Sequence, residues 1–140
     1  LVPHPSQEFY KKMAVTSGGA QGGSIKKLNR KKGIKGEKLA AKYLKRGGYK
    51  VLARNYKCPF GEVDIIARLG DVVAFVEVKL RTSEDFGAPS QAVNRTRMQR
   101  YINVARFYFS GREMSCTVRF DIIEVEGDKI NHIISAFEAN

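Results

Sequence analysis

Tryptophan is absent from this 140-residue chain, and cysteine and histidine occur twice each. Cys58 and Cys116 stand alone, as do His4 and His132, so the paired spacings of a structural zinc site are missing. Two isolated thiols do not make a disulfide framework and suit a reducing compartment. No apolar run reaches the roughly 18 residues that span a bilayer. The first 30 residues also lack the continuous apolar core of a secretory signal. The expected setting is the cytoplasm, with no membrane partner. Acids are scarce as well: 14 Asp and Glu face 25 Lys and Arg, a net charge of +11. Such a surplus favours a polyanionic partner, with nucleic acid first among these.

What is present fits one folded domain. Apolar residues make up 43% of the chain, enough for a real core at this length. The charge is uneven, with eight Lys or Arg against one Glu in residues 1–35. "TSGGAQGGS" has linker composition and "KKLNRKK" is a charge run with little to bury. Residues 1–30 are therefore expected to form a flexible, basic, Gly-rich arm, and residues 31–140 the domain. A solvated tail that aids solubility is the plain alternative to an arm that binds nucleic acid.

In "GEKLAAKYLKRGG", Ala40, Ala41, Tyr43 and Leu44 cluster on one helical face, and Gly47-Gly48 supplies a stop. "YKVLARNY", "EVDIIAR" and "VVAFVEVK" follow as strands, the last two joined by the short connection "LGD". "RTSEDFGAPS" is loop. An amphipathic helix runs from about Asn94 to Phe109, with Met98, Tyr101, Ile102, Ala105, Tyr108 and Phe109 at helical spacing. Its other face carries Arg95, Arg97, Arg100 and Arg106. The aromatic residues 101 and 107–109 are expected in the core rather than as stacking platforms for bases. "TVRFDIIEVE" and "KINHIISAF" close the chain as strands. The order α-β-β-β-α-β-β predicts an α/β layered domain with a mixed sheet.

The hairpin "GEVDIIARLGDVVAFVEVK" is unusual in a basic chain because it gathers Glu62, Asp64, Glu77 and Lys79. Side chains alternate along a strand, so Glu62 and Asp64 share one face, and Glu77 and Lys79 share one face of the next strand. Val63, Ile65, Val76 and Val78 would point the other way, into the core. Antiparallel pairing then brings the charged ends together, away from the turn. Ordinary salt bridges on a half-exposed strand are one explanation. However, "VVAFVEVK" is apolar on both faces until Glu77, which favours a site at the sheet's end. Clustered carboxylates cannot all ionise cheaply in a partly buried site. One lysine does not balance three acids, and a divalent cation with oxygen ligands, Mg2+ or Mn2+, supplies the missing charge. Glu37, read as lying in the first turn of the first helix, heads the apolar stripe through Ala41 and Leu44. It either joins this site or favours the positive end of the helix dipole.

An acid at Asp64 followed by Glu77-Val78-Lys79 resembles the PD-(D/E)xK motif of the restriction-endonuclease-like superfamily, which includes archaeal Holliday junction resolvases. The ordered blocks "GEKLAAKYL", "GYKVLARNY", "GEVDIIA", "FVEVKLR", "FG" and "RFDII" are similar to the bacterial YraN-like family of endonuclease-like proteins, across residues 33 to about 137. The resemblance implies a restriction-endonuclease-like fold and metal-dependent hydrolysis of phosphodiester bonds, with DNA, branched or otherwise structured, favoured over RNA. It implies that Asp64, Glu77, the Val78 carbonyl and Glu37 hold the metal, and that Lys79 orients or helps deprotonate the attacking water. Asp64, Glu77, Lys79 and Glu37 are thus the catalytic candidates, with Glu62 as an accessory acid. Arg81, Gln91, Arg95, Arg97 and Arg100 are candidates for contacting nucleic acid, although a loop-ordering bond explains Gln91 equally well. Arg97 stands where the family usually has lysine, which keeps the charge but not the compact ammonium. Junction-cutting relatives act as dimers, so a homodimer is implied. A nucleic-acid-binding protein that does not cleave remains the alternative. Asp121, with Arg119 on the same strand face, is expected to form a structural ion pair.

Overall fold

Helix α1 spans Ser24–Arg46 in the computed structural model, which describes residues 24–82, 95–112 and 115–137. It begins earlier than the sequence suggested, inside the expected arm. "SIKKLNRKK" holds no Gly or Pro before Gly33, and Lys, Leu and Arg are good helix formers. Glu37 therefore lies well inside the helix, and no acid occupies the first turn. This corrects its expected position. The helix ends where Tyr49 N–H donates to the Leu44 carbonyl at 2.9 Å.

Five strands follow the expected order: β1 (Lys50–Cys58), β2 (Gly61–Leu69), β3 (Val72–Leu80), then β4 (Thr117–Glu126) and β5 (Lys129–Phe137) after helix α2 (Arg95–Phe109). The sheet runs β1-β2-β3-β4-β5. All pairs are antiparallel except β3–β4, which is parallel because the chain crosses over through α2 between them. Three hairpin turns have two residues: Pro59-Phe60 joins β1 to β2, and the other two, Gly70-Asp71 and Gly127-Asp128, read Gly-Asp. Gly70 (φ 61) and Gly127 (φ 59) supply the positive φ that matches strand twist.

One helix covers each face of the sheet. Ala40, Ala41 and Leu44 of α1 pack on Ile65, Ala67, Ala74, Val76, Ile123 and Val125. Tyr101, Val104, Ala105, Tyr108 and Phe109 of α2 pack on Val63, Ile66, Val73, Phe75 and Phe120. The expected core role holds for Tyr101, Tyr108 and Phe109. Tyr43, expected on the apolar stripe, is instead 37% exposed, and its hydroxyl lies 3.1 Å from His132 Nδ1.

The Arg119–Asp121 ion pair is present at 2.8 Å. Asp121 is 1% exposed and also accepts from Ser135 N–H at 3.1 Å and from His132 Nε2 at 2.7 Å. Burial alone would raise the Asp121 carboxyl, but the bonds from His132, Arg119 and Ser135 outweigh it and hold the group below the usual 3.8. Arg119 reaches on to the Tyr49 hydroxyl. Opposite Asp121 the β4–β5 register shifts and Ser135 takes φ 54. The bulge thus turns a backbone donor onto a buried carboxylate.

Candidate functional site

The site lies where the sheet forks. β2 and β3 stay paired from Leu69↔Val72 to Ile65↔Val76. Beyond Ile65, β2 continues beside β1 through Val63 and Glu62, while β3 continues beside β4 through Glu77, Val78 and Lys79. The two strands part at Asp64. Its Oδ2 accepts the Val78 N–H at 2.7 Å, taking the place of a backbone carbonyl of β2. A residue's N–H and C=O leave a strand on the same side. The Val78 carbonyl is therefore directed toward the fork as well.

Strand alternation breaks at the same point. Ile65 packs under α1 and Val63 under α2, although two-residue spacing would put them on one face. In the partner strand Asn55, opposite Asp64 by register, has φ 51. This corrects the expectation that Val63 and Ile65 point the same way. Ile65, Val76 and Val78 do share the α1 face.

Four acids converge here. Glu77 pairs with Arg97 Nη1 at 2.7 Å. Asp64 is pushed up from 3.8 to about 6: burial dominates, the Val78 amide bond opposes it, and the charges of Glu37, Glu77 and Glu62 add to it. Burial, with Glu77 and Asp64, also drives the Tyr101 phenol far upward. Glu37 approaches from α1, and its Oε2 is buried without a hydrogen-bond partner. Its place well inside the helix removes the dipole explanation, since that effect fades beyond the first turn. Two carboxylate strands, a helix-borne acid with a bare buried oxygen and a raised Asp64 suit a hard cation with oxygen ligands. The acids are not drawn into a closed cage: among the described residues, no group of three or more His, Cys, Asp or Glu stands at metal-binding spacing.

A groove of about 700 Å³ opens onto these acids, lined in part by Glu62, Asp64, Glu77, Arg97, Arg100 and Tyr101. Arg97 and Arg100, the expected nucleic-acid contacts, both line this groove. Arg97, its side chain 41% exposed, also pairs with Glu77. Arg95 lies on the exposed side of α2, in a neighbouring hollow. Gln91 lies outside the described residues. Lys79 is half-buried and sits opposite Glu124 in the β3–β4 register.

Glu124 is the residue that sequence reasoning missed. It lies 3.3 Å from Arg81 Nε and accepts from Asn131 Nδ2 at 2.8 Å. It thereby tethers the arginine just past the end of β3, two residues beyond Lys79. Its Oε2 is within ion-pair distance of Arg81 but not aligned for a hydrogen bond. "RFDIIEVE" offered no sign of this, because only the parallel register brings Glu124 beside Lys79.

Gly61 shapes the mouth of the groove. Its φ is 138, and a Cβ there would stand 2.8 Å from Arg100 Cδ. The arginine stem lies across the turn only because no side chain intervenes. Gly61→Ala is expected to lower stability by about 1–3 kcal/mol, measured by urea unfolding. A change under a few tenths would show that the turn relaxes freely.

A mixed sheet between two helices, forked at an Asp…Glu-x-Lys set, defines an α/β protein of the restriction-endonuclease-like class. Residues 36–125 match the family described as "Uncharacterised protein family UPF0102". The chain is 44% identical over 122 residues to a UPF0102 protein of Caldanaerobacter subterraneus subsp. tengcongensis, covering 81% of this chain and 100% of that protein. It is 46% identical over 105 residues to one from Thermodesulfovibrio yellowstonii, covering 75% and 94%. A third, from Alkaliphilus oremlandii, is 46% identical over 117 residues, covering 79% and 100%. The chain belongs to the UPF0102 family, the YraN-like family that its sequence blocks resemble. No described helix is long and apolar enough to cross a membrane.

Proposed function

We propose that this protein is a nuclease, dependent on Mg2+ or Mn2+, that hydrolyses phosphodiester bonds in branched or otherwise structured DNA. The convergence of Glu37, Glu62, Asp64 and Glu77 on the fork, with the Glu37 oxygen buried and bare, carries this proposal. Asp64, Glu77 and Glu37 would hold the ion, with the Val78 carbonyl turned the same way. When bound, such an ion acidifies a water and offsets charge on the phosphate.

The chain's own groups supply the rest. Lys79, two residues beyond Glu77 on β3, would orient the attacking water and stabilise charge on the phosphate oxygens. The water oxygen bonds to phosphorus, the bond to the leaving sugar oxygen breaks, and that oxygen takes up a proton. Arg100 and Arg81 would position the backbone of the strand being cut. Cytoplasmic DNA is the substrate source this assigns, and paired cuts in a branched substrate call for a homodimer.

The test is cleavage of labelled single-stranded, duplex, flapped and four-way-junction DNA in Mg2+ or Mn2+, with EDTA and Glu77→Ala alongside. Cleavage should require the ion and vanish in the variant. A second function, binding nucleic acid without cutting it, is favoured by Arg97 already neutralising Glu77. It predicts no cleavage and equal affinity for wild type and variant, with log K falling by about 0.9 per log salt for each phosphate contact on duplex DNA.

A further inference from the structure

The outer face of α1 carries charge of one sign. Lys35, Lys38, Lys42 and Lys45 are all exposed, at successive spacings of three, four and three residues, which places them on one side of the helix. At 1.5 Å rise per residue the stripe is about 15 Å long. The helix has one acid, Glu37, and it is turned inward, with its Oε2 buried. Among the described residues, none of the ion pairs involves these four lysines. Like charges three and four residues apart repel and weaken a helix. A lysine stripe with no acid between its members is therefore a local cost that a bound polyanion would relieve.

The stripe begins beside the fork. Gly36 is buried, and a Cβ there would stand 2.5 Å from Leu80 Cδ2. The bare glycine lets α1 lie directly on the end of β3. Glu37 then reaches the acids while Lys35 and Lys38 stay in solvent. The groove's arginines come instead from α2, which covers the opposite face of the sheet. A strand lying in the groove therefore does not run along the stripe as well. A lysine ammonium is a point charge on a flexible stem, which suits phosphates and reads no bases. Along a duplex axis, about 15 Å holds about four phosphates of one strand. A membrane surface fits less well. An interfacial helix needs a free apolar face, whereas Ala40, Ala41 and Leu44 are packed on the sheet.

We infer that the outer face of α1 holds the phosphate backbone of a second duplex arm, apart from the strand in the acidic groove. The inference rests on the nucleic-acid function proposed above and adds to it a separate contact surface. Branched DNA occupies groove and stripe together with two of its arms. A linear duplex occupies one of them at a time.

The test is fluorescence anisotropy with the full chain in EDTA, over a range of salt, on a labelled four-way junction and a labelled linear duplex. For wild type, log K should fall more steeply with log salt on the junction, by about 0.9 for each added phosphate contact. A variant combining Lys35→Gln, Lys38→Gln and Lys42→Gln should lose that extra slope. It should bind the junction at least about ten-fold more weakly and the linear duplex within about three-fold of wild type. Arginine at the same three positions should keep both properties. A control losing as much charge from other exposed positions, Lys50→Gln with Arg54→Gln and Lys129→Gln, should bind the junction within about three-fold of wild type. Equal wild-type slopes on the two DNAs overturn the inference even if the stripe variant does not fold. An equal loss in the control variant also overturns it, because net charge then accounts for the effect. The nucleic-acid function survives either result. Wild-type binding to phosphatidylserine vesicles that the stripe variant loses, with junction affinity unchanged, assigns the stripe to a membrane surface and overturns the inference. Binding to neither DNA overturns both the inference and the function it rests on.

Discussion

Asp64→Asn is expected to give a protein that is more stable than wild type at pH 7 and, under the nuclease function proposed above, inactive. The Asp64 carboxyl is raised from 3.8 to about 6, first by burial, against the Val78 amide bond, and further by Glu37, Glu77 and Glu62. A folded pKa above the unfolded one means that the folded state holds the proton more tightly. The contribution of this group is therefore fullest below about pH 4, and it is lost as pH rises through about 6. At pH 7 the fold carries an uncompensated charge. Asparagine removes that charge and keeps an oxygen to accept the Val78 N–H. The expected gain at pH 7 in EDTA is about 1–3 kcal/mol, read from urea unfolding, and it should shrink toward pH 4. Mg2+ should narrow the gap by stabilising wild type alone. Cleavage should fall at least about a hundredfold, because even the outer partners of metal ligands cost 10–100-fold. A variant less stable than wild type at pH 7 would show that the acids at the fork are already balanced, and the case for a cation there would fail.

Asp121→Ala should have the largest effect on stability, a loss of about 3–5 kcal/mol. The carboxylate is buried and accepts from Arg119, His132 and Ser135 N–H. Its removal leaves those donors facing an apolar gap, including a guanidinium that burial makes costly to strand. It also unties β5 at its bulge and α1 at Tyr43, which reaches the same His132. The carboxyl is held below its ordinary value, so its contribution is present above about pH 4 and is lost as pH falls through the folded value. The difference between wild type and variant should therefore narrow in acid. Urea unfolding at pH 7 and pH 3 measures both effects. A loss below about 1 kcal/mol at pH 7 would mean that the network is not what holds the β5 edge.

Much of this fold is legible locally. "TVRFDIIEVE" and "KINHIISAF" become strands with the residues their patterns propose, and α2 buries Tyr101, Ala105, Tyr108 and Phe109 on the expected face. The start of α1 was less legible, because a charged run of helix formers looks like a solvated tail in composition. The site was half legible. Asp64 and Glu77 come together because the Gly70-Asp71 turn sets an antiparallel register that any short hairpin would impose. Glu37 could be suspected from its stripe, but its bare buried oxygen is a property of the packed molecule.

The sequence by itself determined the element order, the antiparallel hairpin and the acid-rich end of β2 and β3. Each depends on periodicity and turn chemistry among near neighbours, which the order of residues already contains. Only the tertiary structure decided that β2 and β3 part at Asp64, that Val63 and Ile65 face opposite layers, that Arg97 meets Glu77 from α2, and that Glu124 lies beside Lys79. These depend on which strand each half of the hairpin follows after the fork and on the parallel β3–β4 register. Both are set by contacts between residues far apart in the chain, which no local pattern encodes.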